Sequence, residues 1–129
     1  MVSIGRVADL LDEFGDSFRE RAFAPPERRY CERRADPPQH YAARWAAKEA
    51  FVKAVAPSAP AVPFRRIVVR RDPDGPTLDP AGRARAALEA TAAAEGWRAD
   101  SPETAVSLSH DRGADRAVGQ VVLAGVTDR

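Results

Sequence analysis

The stretch Y-A-A-R-W-A-A-K-E-A-F-V-K-A-V-A, residues 41–56, contains good helix formers throughout and is followed by Pro57. It therefore predicts an α-helix of about four turns. At about 100° per residue, the small and the large side chains separate onto two sides of this central helix. The small side carries Ala43, Ala46, Ala47, Ala50 and Ala54. The other side carries Arg44, Trp45, Lys48, Glu49 and Lys53. An alanine stripe lets a neighbouring element approach closely, so we expect the helix to be fixed with its charged side directed at a site.

Lysine occurs in this chain only at Lys48 and Lys53, and both positions flank Glu49. Because an ammonium can release its proton and a guanidinium cannot, chemistry is one reason for keeping lysine here. The alternative is an ordinary amphipathic surface helix with a Glu49 to Lys53 ion pair, which would contribute about 0.3–0.5 kcal/mol. The pattern alone leaves both interpretations open.

Length and composition limit the class of protein. A chain of 129 residues with 44% hydrophobic residues is expected to form a single domain, 1–129, with a modest core that assembly would help. With 20 basic and 19 acidic residues there is no net field that would favour nucleic acid. A single cysteine, Cys31, excludes a disulfide framework, and no apolar run approaches the ~18 residues of a membrane span. These features predict a cytoplasmic protein with no membrane segment.

The first half of the chain reads as helices. Apolar residues at helical spacing predict helix one over Ser3–Phe14, closed by Gly15. A short helical turn over residues 18–23 and a helix over residues 25–34 should follow, and Asp36-Pro37-Pro38 should break the chain before the central helix. Residues 56–63 are rich in proline and predict a stiff connecting loop.

The second half of the chain reads mainly as strands. Residues 67–69 predict a strand that turns at D-P-D-G-P, residues 72–76, into a short partner strand at residues 77–78. Asp79-Pro80 is a typical start for the Ala-rich helix that ends at Gly96. Residues 106–109 and 118–126 should form an antiparallel hairpin turning at residues 111–113. Helices followed by strands indicate the α+β class.

A second group of polar residues lies at the end of the first hairpin strand. Ser107, Ser109 and His110 belong to S-L-S-H-D, which is either a functional cluster or an ordinary junction between strand and turn. Ser109 has no G-x-S-x-G around it, and His40 is better explained as a capping or surface residue. The histidines lack zinc-site spacing, and there is neither a Walker loop nor a dinucleotide fingerprint.

Three segments in this order resemble a known family. They are F-R-E-R-A-F-A-P-P-E at residues 18–27, A-A-R-W-A-A-K-E-A-F-V-K-A at residues 42–54 and V-S-L-S-H at residues 106–110. The chain resembles the holo-acyl-carrier-protein synthases, the small bacterial type of 4′-phosphopantetheinyl transferase. The resemblance implies a small antiparallel sheet packed with helices, assembled as a homotrimer with active sites between subunits.

The resemblance also implies an activity, which is transfer of the 4′-phosphopantetheine group of coenzyme A to a serine of apo-acyl carrier protein, with release of adenosine 3′,5′-bisphosphate. By the same match Glu49 would hold Mg²⁺ against the coenzyme A pyrophosphate. Lys53 would stabilise or protonate the leaving group, and Glu49 or its bound water would take the serine proton. Contacts with coenzyme A phosphates fall to Arg44, Lys48, Lys53 and His110. Arg6 on helix one would dock the acidic carrier protein.

Three features depart from the family pattern. Gly75-Pro76 lacks the lysine usual between these residues, and a proline-rich loop at residues 57–63 replaces a glycine-rich one. The strand carrying G-x-D, whose aspartate binds Mg²⁺, would lie before Met1. We expect that the true start codon lies upstream and that the 129-residue form is less stable and nearly inactive. The alternative is a non-catalytic coenzyme A or carrier-protein binding module that has lost its metal site.

Overall fold

The computed structural model describes residues 1–127; the last two residues of the predicted domain, 128–129, lie outside this range. The helices and strands follow in this order: β1 (Val2–Ser3), α1 (Ile4–Phe14), α2 (Asp16–Ala22), α3 (Pro25–Glu32), α4 (Pro37–Ala54), a 3₁₀ turn (Phe64–Arg66), β2 (Ile67–Asp72), β3 (Gly75–Pro80), α5 (Arg83–Glu95), β4 (Glu103–Asp111) and β5 (Arg116–Ala124). None of the helices within these residues is both long and apolar enough to cross a membrane.

The strands form two small antiparallel sheets. One sheet has the order β1-β5-β4, and the other is the hairpin of β2 and β3. The helices pack on these sheets, and the core consists of two clusters of buried side chains, one around the first half of α4 and one around its second half. The predicted α+β class and the predicted pairing of β4 with β5 are confirmed.

Several predicted boundaries were wrong, and three of these differences have a local cause. Helix α4 begins at Pro37, not at Tyr41, because proline is favoured in the first turn of a helix and Pro37-Pro38 therefore starts the helix instead of preceding it. Helix α1 begins at Ile4, after Ser3 has paired with Arg116 in the sheet. The residues 79–80 continue β3 by pairing with β2, so that α5 begins only at Arg83.

Over the first part of α4 the alanine stripe lies against a neighbouring element, as predicted, and that element is β5. Ala43, Ala46 and Ala47 are buried, whereas Ala50 is half-buried and Ala54 is exposed. Gly119 of β5 faces this stripe so closely that an added Cβ would overlap the backbone of residues 46 and 47. A glycine opposite alanine therefore brings the sheet onto the helix backbone and fixes the orientation of α4.

Candidate active site

Glu49 lies in a groove between the start of α1 and the middle of α4. The groove has a volume of about 310 Å³ and is lined by Met1, Val2, Ser3, Arg6, Val7, Leu10, Trp45 and Glu49. The Glu49 side chain is half-exposed, and in the described part of the chain it makes no ion pair or hydrogen bond. The Glu49–Lys53 ion pair of the alternative interpretation, an ordinary surface helix, therefore does not form. An unpartnered carboxylate in a groove is available to a ligand.

Asp115 fixes the start of α1 and therefore one wall of this groove. Its carboxylate accepts hydrogen bonds from the Ser3 hydroxyl at 2.6 Å and from the Gly5 backbone N–H at 2.7 Å. The same Ser3 oxygen accepts from the backbone N–H of Arg6 at 3.1 Å and caps the helix. The hydrogen bond from Ser3 makes the largest contribution to lowering the pKa of Asp115, and the hydrogen bond from Gly5 makes the next largest. Asp115 adopts a left-handed conformation with φ 53°, which aspartate tolerates better than most residues.

An apolar groove of about 440 Å³ continues from the Glu49 groove. The two grooves share Leu10 and Trp45. Trp45 forms the common wall, with its ring 5.5 Å from that of Phe18 and 4.7 Å from that of Phe64. Arginine side chains line both grooves: Arg6 lines the Glu49 groove, and Arg21 lines the apolar one. The surface next to Glu49 is therefore apolar, and each of the two grooves has one arginine side chain in its lining.

Lys48 is not part of either groove. Its side chain is completely buried, and its Nζ donates to Glu27 Oε1 at 2.8 Å, to the carbonyl of Phe64 at 2.9 Å and to the carbonyl of Ile67 at 2.6 Å. An ammonium has three N–H donors, and all of them are used. The expectations that Lys48 lies on the exposed charged side of the helix and that it contacts a phosphate are therefore wrong. Lys48 instead ties α4 to the start of β2.

Glu27 is the buried partner of Lys48, and its role was not predicted from the sequence. Its Oε1 also accepts from the backbone N–H of Ala24 at 2.9 Å, and its Oε2 accepts from the backbone N–H of Val69 at 3.2 Å. The available signal was Pro-Pro-Glu at a helix start, because a glutamate at the third helical position commonly bonds back to the capping residue.

The other predicted residues, Arg44 and His110, meet in a second pocket. This histidine pocket has a volume of about 390 Å³ and is lined by Tyr30, His40, Ala43, Arg44, Arg71, Leu108, Ser109 and His110. The rings of His40 and His110 are in edge contact, with centroids 5.1 Å apart. The interpretation of His40 as a capping or surface residue missed this contact. It joins residues 70 positions apart in the sequence, so local pattern gave no signal for it.

Arg44 is built into the wall of the histidine pocket. Only 2% of the residue is exposed, and its guanidinium carbon lies 4.3 Å from the centre of the Tyr30 ring. One terminal nitrogen donates to the carbonyl of His40 at 3.4 Å, whereas Nε is buried without a hydrogen-bond partner. A buried N–H group without an acceptor costs free energy, so an acceptor that reached Nε would be bound favourably.

An arginine-rich groove adjoins the histidine pocket and shares Tyr30 and Arg71 with it. It has a volume of about 470 Å³, and its cationic lining consists of Arg29, Arg33, Arg34, Arg70 and Arg71. This concentration of charge was not predicted from the sequence. Its arginines come from α3 and the turn after α3, and from β2, which is far away in the chain, so the two groups meet only in the fold. The two pockets together form a surface suited to a ligand with several negative charges.

The structure therefore places the predicted site residues in two separate groups. His40 and Glu49 lie nine positions apart on α4, which at about 1.5 Å per residue separates them by roughly 14 Å along the helix axis. Arg44 and His110 belong to the first group, and Glu49 and Arg6 to the second. Lys53 is exposed one turn beyond Glu49.

Glu49 fits a magnesium ion only as a single protein ligand. Within residues 1–127 there is no group of three or more histidine, cysteine, aspartate or glutamate side chains that could hold a metal ion. Mg²⁺ often takes one or two carboxylates and completes its shell with waters and substrate phosphates. The unpartnered Glu49 carboxylate is compatible with that arrangement.

Comparison with known proteins agrees with this fold. A sequence model of the 4′-phosphopantetheinyl transferase superfamily matches residues 1–106. Holo-[acyl-carrier-protein] synthase of Syntrophus aciditrophicus is 38% identical over 99% of this chain and 94% of its own length, and that of Anaeromyxobacter sp. is 39% identical over 97% and 91%. The crystal structure of the synthase from Neisseria meningitidis superposes with a TM-score of 0.73 at 28% identity, covering 95% of this chain and 92% of that one. The chain belongs to the 4′-phosphopantetheinyl transferase superfamily and, within it, to the holo-[acyl-carrier-protein] synthases.

Proposed function

We propose that this protein transfers the 4′-phosphopantetheine group of coenzyme A to a serine of an apo-acyl carrier protein in a Mg²⁺-dependent reaction that releases adenosine 3′,5′-bisphosphate. The observation that carries the proposal is the unpartnered Glu49 carboxylate, which shares its groove with Arg6 and adjoins an apolar surface. A metal ligand and a docking surface for an acidic partner thus lie side by side, as the transfer requires.

The phosphates of coenzyme A have matching donors in the histidine pocket and the arginine-rich groove. Arg44 offers its unfilled Nε, and Arg71 and His110 line the same pocket. Guanidinium groups bind phosphate oxygens in a planar, two-point geometry, which suits a ligand with a pyrophosphate and a 3′-phosphate. Lys48 has no part in this binding because its donors are used inside the protein.

Glu49 and Lys53 would carry the proton transfers. Mg²⁺ held by Glu49 would neutralise the charge that develops on the leaving phosphate. Lys53, exposed one helical turn further on, is free to donate a proton to the leaving group. As the hydroxyl oxygen of the carrier serine attacks phosphorus, Glu49 accepts the serine proton, either directly or through a water molecule.

A homotrimer with sites between subunits would unite the two groups of residues. Along α4 in one chain, Glu49 lies roughly 7.5 Å from Arg44 and roughly 14 Å from His40, the two ends of the part of the helix that lines the histidine pocket. A neighbouring copy would bring its own pocket to the Glu49 groove. Sedimentation analysis tests the stoichiometry. Mixing Glu49→Gln protein with His110→Gln protein tests the shared site, because mixed trimers would regain some activity only if different subunits supply the two residues.

The alternative function is a non-catalytic module that binds coenzyme A or the carrier protein. The feature that favours it is that Glu49 is the only carboxylate lining its groove in the described part of the chain. The deciding experiment incubates the protein with coenzyme A, Mg²⁺ and an apo-carrier protein and weighs the carrier by mass spectrometry. A mass increase equal to phosphopantetheine supports the enzyme. Binding of coenzyme A without any mass increase supports the alternative.

A further inference from the structure

The two histidines of this chain form a pair inside a cationic pocket. His40 comes from the first turns of α4, and His110 from the end of β4. The ring centroids of the two histidines are 5.1 Å apart, and the centroid of the Tyr30 ring lies 5.8 Å from that of His40. His40 is half-buried and His110 is exposed at the mouth of the pocket.

The charged groups facing this pair are mainly positive. Arg34 from the turn after α3 and Arg44 from α4 each place a guanidinium carbon 4.3 Å from the Tyr30 ring, and Arg71 enters from β2. The nearest acids are engaged elsewhere. Asp36, which stands at the N-cap position of α4 without a side-chain capping hydrogen bond, is paired with Arg112 at 3.1 Å, and Asp111 of β4 accepts a hydrogen bond from the backbone N–H of Ala114.

This environment disfavours a positive charge on His40 while the pocket holds no anion. Burial lowers the pKa of His40, and the charges of His110, Arg44 and Arg34 lower it further, with Asp36 acting in the opposite direction. Two imidazolium rings in edge contact would repel each other in addition. The free pocket therefore favours the neutral form of His40.

A bound phosphate reverses this balance because its negative charge favours the protonated imidazole. We propose that His40 and His110 form a proton-linked anion site, in which a phosphate group entering the histidine pocket is bound together with a proton taken up by the pair. Arg44 and Arg71 supply the part of the attraction that does not depend on pH. The inference rests on the proposed function only for the identity of the ligand as coenzyme A.

The direction of the pH dependence follows from linkage. An anion that raises the pKa of a histidine makes the complex bind more protons than the free protein between the two pKa values. Affinity therefore rises as pH falls through that window and becomes constant below it, where both states are protonated. Each unit by which the anion raises the pKa changes the dissociation constant by about tenfold across the window.

Sulfate is a suitable probe because it carries two charges and has no titrating proton near neutrality. The pKa values of His40 and His110 are measured from the NMR shifts of the ring protons, with and without sodium sulfate, at matched ionic strength set with sodium chloride. We expect sulfate to raise the pKa of His40 by about one unit. The dissociation constant of sulfate should accordingly rise about tenfold as pH increases through the interval between the two pKa values. Unchanged pKa values in saturating sulfate, or no binding of sulfate to the pocket, would overturn the inference.

Two variants separate protonation from packing. His40→Phe keeps an aromatic ring against Tyr30 but cannot be protonated, so it should retain sulfate binding and lose most of the pH dependence. His110→Gln should lose the remainder. If His40→Phe binds sulfate with the pH dependence of the original protein, His40 is not the titrating group and the inference is wrong.

Coenzyme A is then titrated by calorimetry in two buffers of different ionisation enthalpy, which gives the number of protons taken up. The 3′-phosphate of the ligand titrates near pH 6, but this contribution is the same for both proteins, so the difference between the original protein and His40→Phe reports the protons taken up by His40. Coenzyme A binding and transfer without this difference would refute the inference and leave the proposed function standing. Proton-linked sulfate binding without any coenzyme A binding would do the opposite.

Discussion

The Nζ of Lys48 lies 2.8 Å from Oε1 of Glu27, and both side chains are completely buried. Replacing Lys48 by methionine would leave the Glu27 carboxylate in the core without its counter-charge. Removing one partner of a buried ion pair typically costs about 3–5 kcal/mol. We expect Lys48→Met to lower the free energy of unfolding by about this amount, as measured by urea denaturation.

Lys53→Met is the matched control, because Lys53 is exposed on the same helix. An exposed substitution of this kind should change the free energy of unfolding by no more than about 0.5 kcal/mol. A Lys48→Met protein of unchanged stability but with weakened coenzyme A binding would restore the phosphate-binding role that the geometry denies it.

Gly119 of β5 allows the sheet to approach the backbone of Ala46 and Ala47. Gly119→Ala must push the strand away from α4, and overpacking of this kind typically costs about 1–3 kcal/mol. Thermal unfolding should therefore show a clear loss of stability. Gly113→Ala serves as the control, because Gly113 lies in the exposed hairpin turn and an added Cβ would meet only the Asp111 carboxylate, at 3.3 Å. Equal losses in the two variants would show that Gly119 is not a packing constraint.

The parts of this fold that sequence could predict are those determined by local pattern. The helix around Glu49 and the hairpin of β4 and β5 follow from residue spacing along the chain. The burial of Lys48 depends on Glu27, which is 21 residues away, and on the carbonyls of Phe64 in the 3₁₀ turn and of Ile67 at the start of β2. The position of these carbonyls relative to α4 cannot be read from periodicity. Helical spacing placed Lys48 on the same side as Glu49, but Glu27 of α3 and the carbonyls of Phe64 and Ile67 surround its ammonium group. The charge of this residue therefore did not predict whether it is exposed.

Glu49 is half-exposed and unpartnered, so its carboxylate adds little to stability. Glu49→Gln should abolish phosphopantetheine transfer, because a neutral amide is a poor ligand for a hard divalent ion, while the unfolding transition stays within about 0.5 kcal/mol of the original. Transfer is followed by mass spectrometry of the carrier protein. Glu89→Gln, on the exposed side of α5, is the control and should remain active. Full activity of Glu49→Gln would remove Glu49 from the mechanism.

Lys53 tests whether a compact, titratable cation is needed beside Glu49. Lys53→Arg keeps the positive charge, but the guanidinium does not release a proton near neutral pH. We expect kcat to fall, by about 10²-fold if proton transfer limits the rate, with a smaller change in the KM for coenzyme A. If arginine supports the same kcat as lysine, Lys53 contributes charge alone and the leaving group takes its proton from another donor.

Arg6 should be the main contact for an acidic carrier protein. Its side chain is exposed at the edge of the Glu49 groove, and only its backbone N–H is used in capping α1, so a substitution should leave the helix start intact. The other charged residues on α1 are Asp9, Asp12 and Glu13, which would repel an acidic partner and make the single arginine more important. Arg6→Glu should therefore raise the KM for the carrier protein, and added salt should raise it in the original protein, because the attraction is mainly electrostatic. The KM for coenzyme A should change much less in both cases.

Arg85→Glu on the exposed side of α5 is the matched charge reversal, and it should leave both constants unchanged. Parallel increases in the two KM values for Arg6→Glu would mean that Arg6 acts on the coenzyme A site and that the carrier protein docks elsewhere.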